Sequence, residues 1–323
     1  MKNSPEDSHS GNLAVRVVVA ALGIPLITFF TLTGGFVFLA FIMLVALLGL
    51  HEFYVLSRAK GISPQVLVGM IFGGVLVAAF SHLRIRSLIA SGFLWFGIEI
   101  PYPTMTQLIL ILYILFVLLV LVIELFKNRQ GAVVNIATTV FGPTYVALLF
   151  GTVVGLRELF VPENIPLYQY LSVRGMSLPV NVEADMYSWG GYTVMTVFAA
   201  IWFCDSAAYF AGRGFGRHKL FERVSPKKTW EGAVAGFIFA VLTFVVARAV
   251  VLPYMGIATA VVCGAIVGVF GQLGDLAESL LKRDAGVKDS STLIPGHGGV
   301  LDRFDSLLFA APLIFLYIDF VVF

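Results

Sequence analysis

The chain has 323 residues, 59% of them hydrophobic and only 12% charged, with a mean hydropathy of +0.94. A soluble domain carries about 25% charged residues, so this chain has too little polar surface to coat a soluble fold, and lipid must solvate most of it. A net charge of +2 without a basic tail gives no support for a nucleic-acid partner, and Cys204 and Cys263 lie in apolar runs that suggest no disulfide framework.

Residues 1–12 form a polar tail. The apolar run after it is too long for a signal-peptide core and reads as a retained first span. Runs able to cross a bilayer, about 20 residues each, lie near 13–33, 35–57, 63–81, 104–126, 131–155, 190–212, 232–252, 257–281 and 304–323. The piece 82–103, broken by Arg84, Arg86, Pro101 and Pro103, reads as interfacial or re-entrant, which brackets the count at eight to ten spans. Backbone groups in lipid must be satisfied internally, so the runs are helices. The expectation is an all-α, polytopic integral membrane protein of about nine transmembrane helices.

Lysine and arginine set the orientation. With the N-terminus inside, Arg58, Lys60, Lys127, Arg129 and the two basic loops 213–231 and 282–303 face inward. Arg84 and Arg86 fall outside and count against this scheme, and the outside segment 156–189 is mixed in charge. The balance puts the N-terminus inside and the C-terminus outside. Residues 13–189 then read as a nearly featureless scaffold that includes segment 156–189, and 190–323 as the working region.

In that region Asp205 lies about two turns inside a span, where a carboxylate is costly and faces a cavity or a partner. A purely structural Asp205, bonded to Ser, Tyr or backbone, is the plain alternative. The following loop carries Arg213, Arg217, Lys219, Arg223, Lys227 and Lys228, and runs Ser225-Pro226-Lys227-Lys228-Thr229-Trp230-Glu231-Gly232 into the next span. An anchor to anionic lipid explains its charge. The order of residues at a helix start also suits a phosphate, held by free N–H groups and neighbouring cations.

The eighth run ends with Asp275, Glu278, Ser279, Lys282 and Arg283, of which Asp275, Glu278 or Ser279, and Lys282 share one helix face. Two turns separate Asp275 from Lys282, so each is expected to point at a group between helices rather than at the other. The densest polar stretch follows, from Lys288-Asp289 through His297-Gly298-Gly299 to Asp302-Arg303-Phe304-Asp305. Asp302 and Asp305 share a face at a first helical turn, and with Asp275 they form an oxygen-ligand set suited to Mg²⁺. Capping explains one such aspartate, not three. Glycines at 298 and 299 let backbone approach a bulky anion closely.

The run Ser279-x-Leu281-Lys282-Arg283, four residues, Lys288-Asp289, then Pro295-x-His297-Gly298-Gly299-x-x-Asp302-Arg303-Phe304-Asp305 resembles the signature of the phosphatidate cytidylyltransferase family. Ser225–Gly232 and the helix end from Asp205 to Arg213 resemble it more weakly, so the likeness covers roughly 200–310. The resemblance implies joining of CTP and phosphatidic acid into CDP-diacylglycerol and pyrophosphate, with Mg²⁺ required. It implies that Asp275 and Asp302 hold metal, with Asp305 or Asp289 close behind, and that Ser225, Lys227 and Lys228 belong to the substrate site. Whether a second, monovalent cation joins the Mg²⁺ stays open. The resemblance also suggests a homodimer and, with the inward basic loops, an active site on the cytoplasmic side of a bacterial inner membrane.

The wider set of expected site residues has two parts. Lys282, Lys288, Asp289, His297 and Arg303 join the three aspartates at the reacting centre. Asp205, Arg213, Ser225, Lys227, Lys228, Thr229, Glu231, Ser279, Arg283, Gly298 and Gly299 surround the substrates. Two other functions fit parts of the pattern. An ion-coupled transporter would use Asp205 and Asp275 as an ion path, though its acids should gather at mid-membrane. A CTP-dependent lipid kinase would release CDP instead of pyrophosphate.

Overall fold

The computed structural model describes residues 5–94, 103–127, 130–161, 180–296 and 298–322. Ten helices follow in order: α1 (Pro5–Thr33), α2 (Gly35–Ala59), α3 (Val66–Ala79), α4 (His82–Leu94), α5 (Met105–Phe126), α6 (Ala132–Glu158), α7 (Val180–Phe215), α8 (Trp230–Val250), α9 (Ile257–Asp284) and α10 (Leu301–Val322). Short π-helical turns interrupt α6 at Pro143–Leu148, α9 at Val267–Gly271 and α10 at Ile318–Val322.

The nine apolar runs all fall on helices, but fewer helices meet the requirements for a span. Among the described residues seven are long and apolar enough to cross a membrane, α2 and α5 to α10, or eight if α3 and α4 together count as one. The chain is thus an integral membrane protein. The run at 13–33 provides a shorter apolar stretch, Val17–Thr33. The run at 63–81 stops at Ala79, and α4 turns away by 86°. In that next helix the Arg84 guanidinium Nε meets Glu158 at 2.6 Å, which ties α4 to the end of α6. Segment 156–189 is not wholly a connection, since α6 reaches Glu158 and α7 begins at Val180. Its middle, 162–179, lies outside the described residues, as do 95–102 and Arg129.

Lipid provides little hydrophobic drive between helices, so close packing and internal hydrogen bonds must hold them. Leu50, Val146, Phe150, Val197, Leu308 and Ile314 form part of one buried core shared by α2, α6, α7 and α10. The rings of Phe80 and Phe315 close over Gly155 of α6, with Phe80 also covering Gly151. One buried acid in this bundle is paired across helices. Glu124 accepts from Gln65 Nε2 at 2.8 Å and from Asn135 Nδ2 at 3.1 Å, tying α5 to α6 and to the start of α3.

At one end of the bundle the fully buried Arg157 donates to the carbonyls of Thr31 and Tyr187 and lies 4.0 Å from the Tyr187 ring centroid. This places the ends of α1 and α6 beside the start of α7. Gly34, at φ 67°, makes the α1–α2 reversal there, and any side chain on it would meet Arg157 Nη2 at 2.6 Å. The basic loop 213–231 is not all coil. Lys219–Phe221 (β1) pairs antiparallel with Ser225–Thr229 (β2). A two-stranded hairpin so short is marginal alone; here it continues directly into α8.

Candidate active site

Toward the opposite end from Arg157, α1, α2, α7, α9 and α10 surround a cavity of about 730 Å³. Its apolar half is lined by Ala20, Gly23, Ile24 and Ile27 of α1, Phe41 and Val45 of α2, and Phe198 and Trp202 of α7. Its polar half holds Asp205, Asp275, Asp289, Asp302 and Asp305, with Lys282 and Arg303. These acids come from four separate stretches of chain, so packing of α7, α9 and α10 is what gathers them. Gly274 allows the approach of α9 to α10, because a side chain there would run into the Asp305 carbonyl.

The cations are distributed unevenly. Lys228 reaches from β2 to Asp275, its Nζ 2.7 Å from Oδ2, so the basic hairpin is fastened to the acidic helix. Ser279 donates to the other oxygen of Asp275 at 3.3 Å. Lys282 lies between two buried carboxylates, 2.5 Å from both Glu278 Oε2 and Asp302 Oδ1. Glu278 takes that ion pair but no directed hydrogen bond. Asp275 and Lys282 therefore do point at different partners, as their two-turn separation demands.

Asp302 is the most heavily bonded of the set. Its Oδ2 accepts from Ser290 N at 2.8 Å, Ser290 Oγ at 2.9 Å and Gly299 N at 2.7 Å, while Oδ1 takes Lys282. Asp205, Asp275 and Asp305 instead sit close enough for their charges to act on one another across the cavity, with Lys228 near Asp205 and Asp305. The Asp305 Oδ1 accepts from Ser306 N at 2.6 Å.

Several expected residues stand outside this centre. Glu231 turns back to His218, accepting from its backbone N–H and approaching Nδ1 at 2.7 Å, and so closes the hairpin. Thr229 caps α8 by accepting from Gly232 N at 3.2 Å. Arg213 contacts the Tyr209 hydroxyl, and Arg283 donates to the Val287 carbonyl. Ser225 is half-buried in β2, and Lys227 and Lys288 are exposed. The positive φ values of Gly296 and Gly298, 71° and 82°, shape the loop before α10. The space beside Gly299 is filled by Ser290 Oγ and both oxygens of Glu52. His297 lies outside the described residues.

Glu52 itself is the participant that sequence reading missed. It sits on α2, 3% exposed, and accepts hydrogen bonds from four groups of the 290–301 segment. One sign was available: an acid within an otherwise apolar run, in His51-Glu52-Phe53-Tyr54.

The donor chemistry fits a hard cation. The described lining holds five carboxylates against two cations, a balance that repels an anionic substrate unless positive charge accompanies it. Carboxylate oxygens are the ligands Mg²⁺ prefers. Among the described residues no three such groups converge to ligating distance.

A sequence model of the cytidylyltransferase family matches residues 14–321. A phosphatidate cytidylyltransferase of Synechocystis sp. is 34% identical over 304 residues, covering 94% of this chain and 95% of that protein. Those of Haemophilus influenzae and Brucella suis are 44% and 45% identical over 137 and 128 residues, which is 41% and 40% of this chain and 48% and 47% of theirs. A match over residues 14–321, which takes in the acidic cavity, makes the chain a member of the cytidylyltransferase family.

Proposed function

We propose that the protein is a phosphatidate cytidylyltransferase, joining CTP and phosphatidic acid into CDP-diacylglycerol and pyrophosphate. The observation that carries this reading is a single cavity with a carboxylate-rich polar half and an apolar half walled by α1, α2 and α7. A charged nucleotide and a two-chain lipid need those two environments side by side. A transporter would instead gather its acids along a path through mid-membrane. Here the ionisable groups collect where α7, α9 and α10 meet the two basic loops.

In the reaction a phosphate oxygen of the lipid attacks the α-phosphorus of CTP, and the bond to the β-phosphate breaks to release pyrophosphate. The nucleophile is already ionised near neutral pH, so positioning and charge neutralisation dominate the catalysis. Lys228 and Arg303 stand at the edge of the acidic group to meet phosphate oxygens. The apolar half holds acyl chains and orients the headgroup toward Asp275 and Asp305. Asp275, Asp302 and Asp305 would supply oxygens to a divalent cation, Asp302 through the lone-pair site on Oδ1 that Lys282 leaves open, with substrate phosphates and water completing its shell. When bound, that ion offsets charge on the triphosphate and the departing pyrophosphate.

Thr31 and Thr33 of α1 meet Arg157 and Tyr187 at the end opposite the cavity, so the start of α1 lies at the cavity end. The C-terminal part of α10 lies at the far end, where Phe315 meets Phe80. With the basic loops inward, this supports an N-terminus inside and a C-terminus outside, and about nine transmembrane helices is the count that goes with that reading. It also supports a cytoplasmic-side active site in a bacterial inner membrane. Arg84, outside in this scheme, is offset by its ion pair to Glu158. The homodimer implied by the family remains part of this proposal.

Purified protein given phosphatidic acid, labelled CTP and Mg²⁺ should yield a lipid-soluble cytidine product and pyrophosphate. A CTP-dependent kinase would give CDP and a lipid without cytidine, and no product from folded protein would sink the reading. Asp275→Asn and Asp302→Asn should each lower turnover by at least about a hundredfold with little loss of folded protein. Near-normal rates in either variant would remove that residue from the site.

A further inference from the structure

We infer that Glu52 is a positioning residue for the transfer reaction, a carboxylate from the amino-terminal half that fixes the loop and helix start carrying Asp302, Arg303 and Asp305. The inference rests on the proposed cytidylyl transfer for its kinetic meaning, and on geometry alone for the fixing itself.

Glu52 has little capacity left for chemistry of its own. Its Oε1 accepts from Ser291 Oγ at 2.6 Å and Val300 N at 2.9 Å. Its Oε2 accepts from Ser290 Oγ and Leu301 N, both at 2.9 Å. A carboxylate offers about four lone-pair sites; Ser291 Oγ, Val300 N and Leu301 N occupy three, and the Ser290 hydroxyl, shared with Asp302, faces the fourth. A residue so occupied neither ligates an ion nor takes a proton without releasing the loop.

What it holds is the start of α10. The first N–H groups of a helix lack intrahelical partners, and Val300 at the N-cap has no side-chain bond to give them. Glu52 supplies the missing acceptor from α2, where the positive end of the helix favours an anion. From there the connection runs to the site. The Ser290 hydroxyl has one proton and two carboxylate neighbours, Glu52 and Asp302, and donates to one of them at a time. The Ser290 N–H stays on Asp302, and Lys282 ties Asp302 to Glu278. Movement of Glu52 would therefore move Asp302 and its helix together.

Gly299 shows how tight this fit is. A Cβ there would lie 2.5 Å from Glu52 Oε2 and 2.6 Å from Oε1, and closer still to Ser290 Oγ. Packing alone would not call for an acid here. An apolar side chain would be cheaper in a span that buries Leu50 and Phe53 beside it.

The test is Glu52→Gln, which keeps size but places an amide nitrogen where an acceptor is needed. A serine hydroxyl can rotate to suit that nitrogen; the N–H of Val300 or Leu301 cannot. Expected are a kcat about a hundredfold lower, KM values for CTP and lipid within about threefold of wild type, and a thermal midpoint lowered by only a few degrees. Amide hydrogen exchange should quicken over 288–303 and nowhere else. Glu52→Asp, which keeps the acceptors but shortens the reach, should recover part of the rate. Wild-type kcat in Glu52→Gln, or a loss of rate matched by an equal loss of folded protein with 288–303 still protected, overturns the inference. If the glutamine variant does not fold, Ser291→Ala decides: it removes one of the four donors, and normal rate with unchanged exchange would refute the role. Wild-type protein that makes no cytidine lipid would sink the function reading instead, while the exchange comparison still tests the clamp.

Discussion

Lys282 shows how a single side chain balances this site. Flanked by Glu278 and Asp302 with only 11% of its side chain exposed, it offsets two carboxylates that have little water to screen them. Removing one partner from a buried ion group costs about 3–5 kcal/mol, because charge is left behind without compensation. Lys282→Met should therefore lower unfolding stability in detergent by that amount, read by chemical denaturation, as well as abolish turnover. Lys60→Ala is the contrast. Its pair with Asp284 is exposed on both sides, and such pairs contribute roughly 0–1 kcal/mol. The residue types at 275, 282 and 302 were legible from helical spacing. Their partners were not, since Lys228 and Asp275 meet only when the hairpin folds against α9.

Among the elements, α6 depends on absent side chains. A Cβ at Gly155 would sit 2.8 Å from Phe80 Cδ1 and 2.9 Å from Phe315 Cε2, both parts of rings held by their own neighbours. Gly155→Val should cost about 1–3 kcal/mol from overpacking, visible as a lower thermal midpoint, with the remaining folded protein active. The β1–β2 hairpin was illegible for a different reason. Ser225-Pro226-Lys227-Lys228-Thr229 has no alternating apolar face, and proline lacks a ladder donor, which restricts it to edges. Pairing there is fixed by the closing contact of Glu231 with His218 and by Thr229 at the α8 cap. The bent α4 is likewise tied down by a contact the local pattern does not show, Arg84 to Glu158, 74 residues away in sequence.

At the scale of the whole molecule, the proposed division of the cavity, with acyl chains in its apolar half, can be tested. Gly23 on α1 lines it, and a Cβ there meets nothing within 4 Å. Gly23→Trp should fill that space and raise KM for long-chain phosphatidic acid about tenfold while leaving KM for CTP near wild type. Equal effects on both substrates, or none, would place the acyl chains elsewhere. The orientation reading also belongs to this scale. Arg84 and Arg86 weaken it when charges are only counted, yet the fold pairs Arg84 with Glu158.

By itself the sequence determined that this is a helical membrane protein whose ordered polar residues lie in its C-terminal third and resemble those of the cytidylyltransferase family. Apolar run length and the ordered polar residues from Ser279 to Asp305 are local properties, and lipid enforces helix wherever such runs occur. Only the tertiary structure decided which acids share a cavity, which cation neutralises which acid, and that α2 reaches into the site through Glu52. Those outcomes depend on contacts between residues as far as 249 positions apart. Hydrogen-bond geometry over such separations is set by how helices pack, and periodicity along the chain carries no record of it.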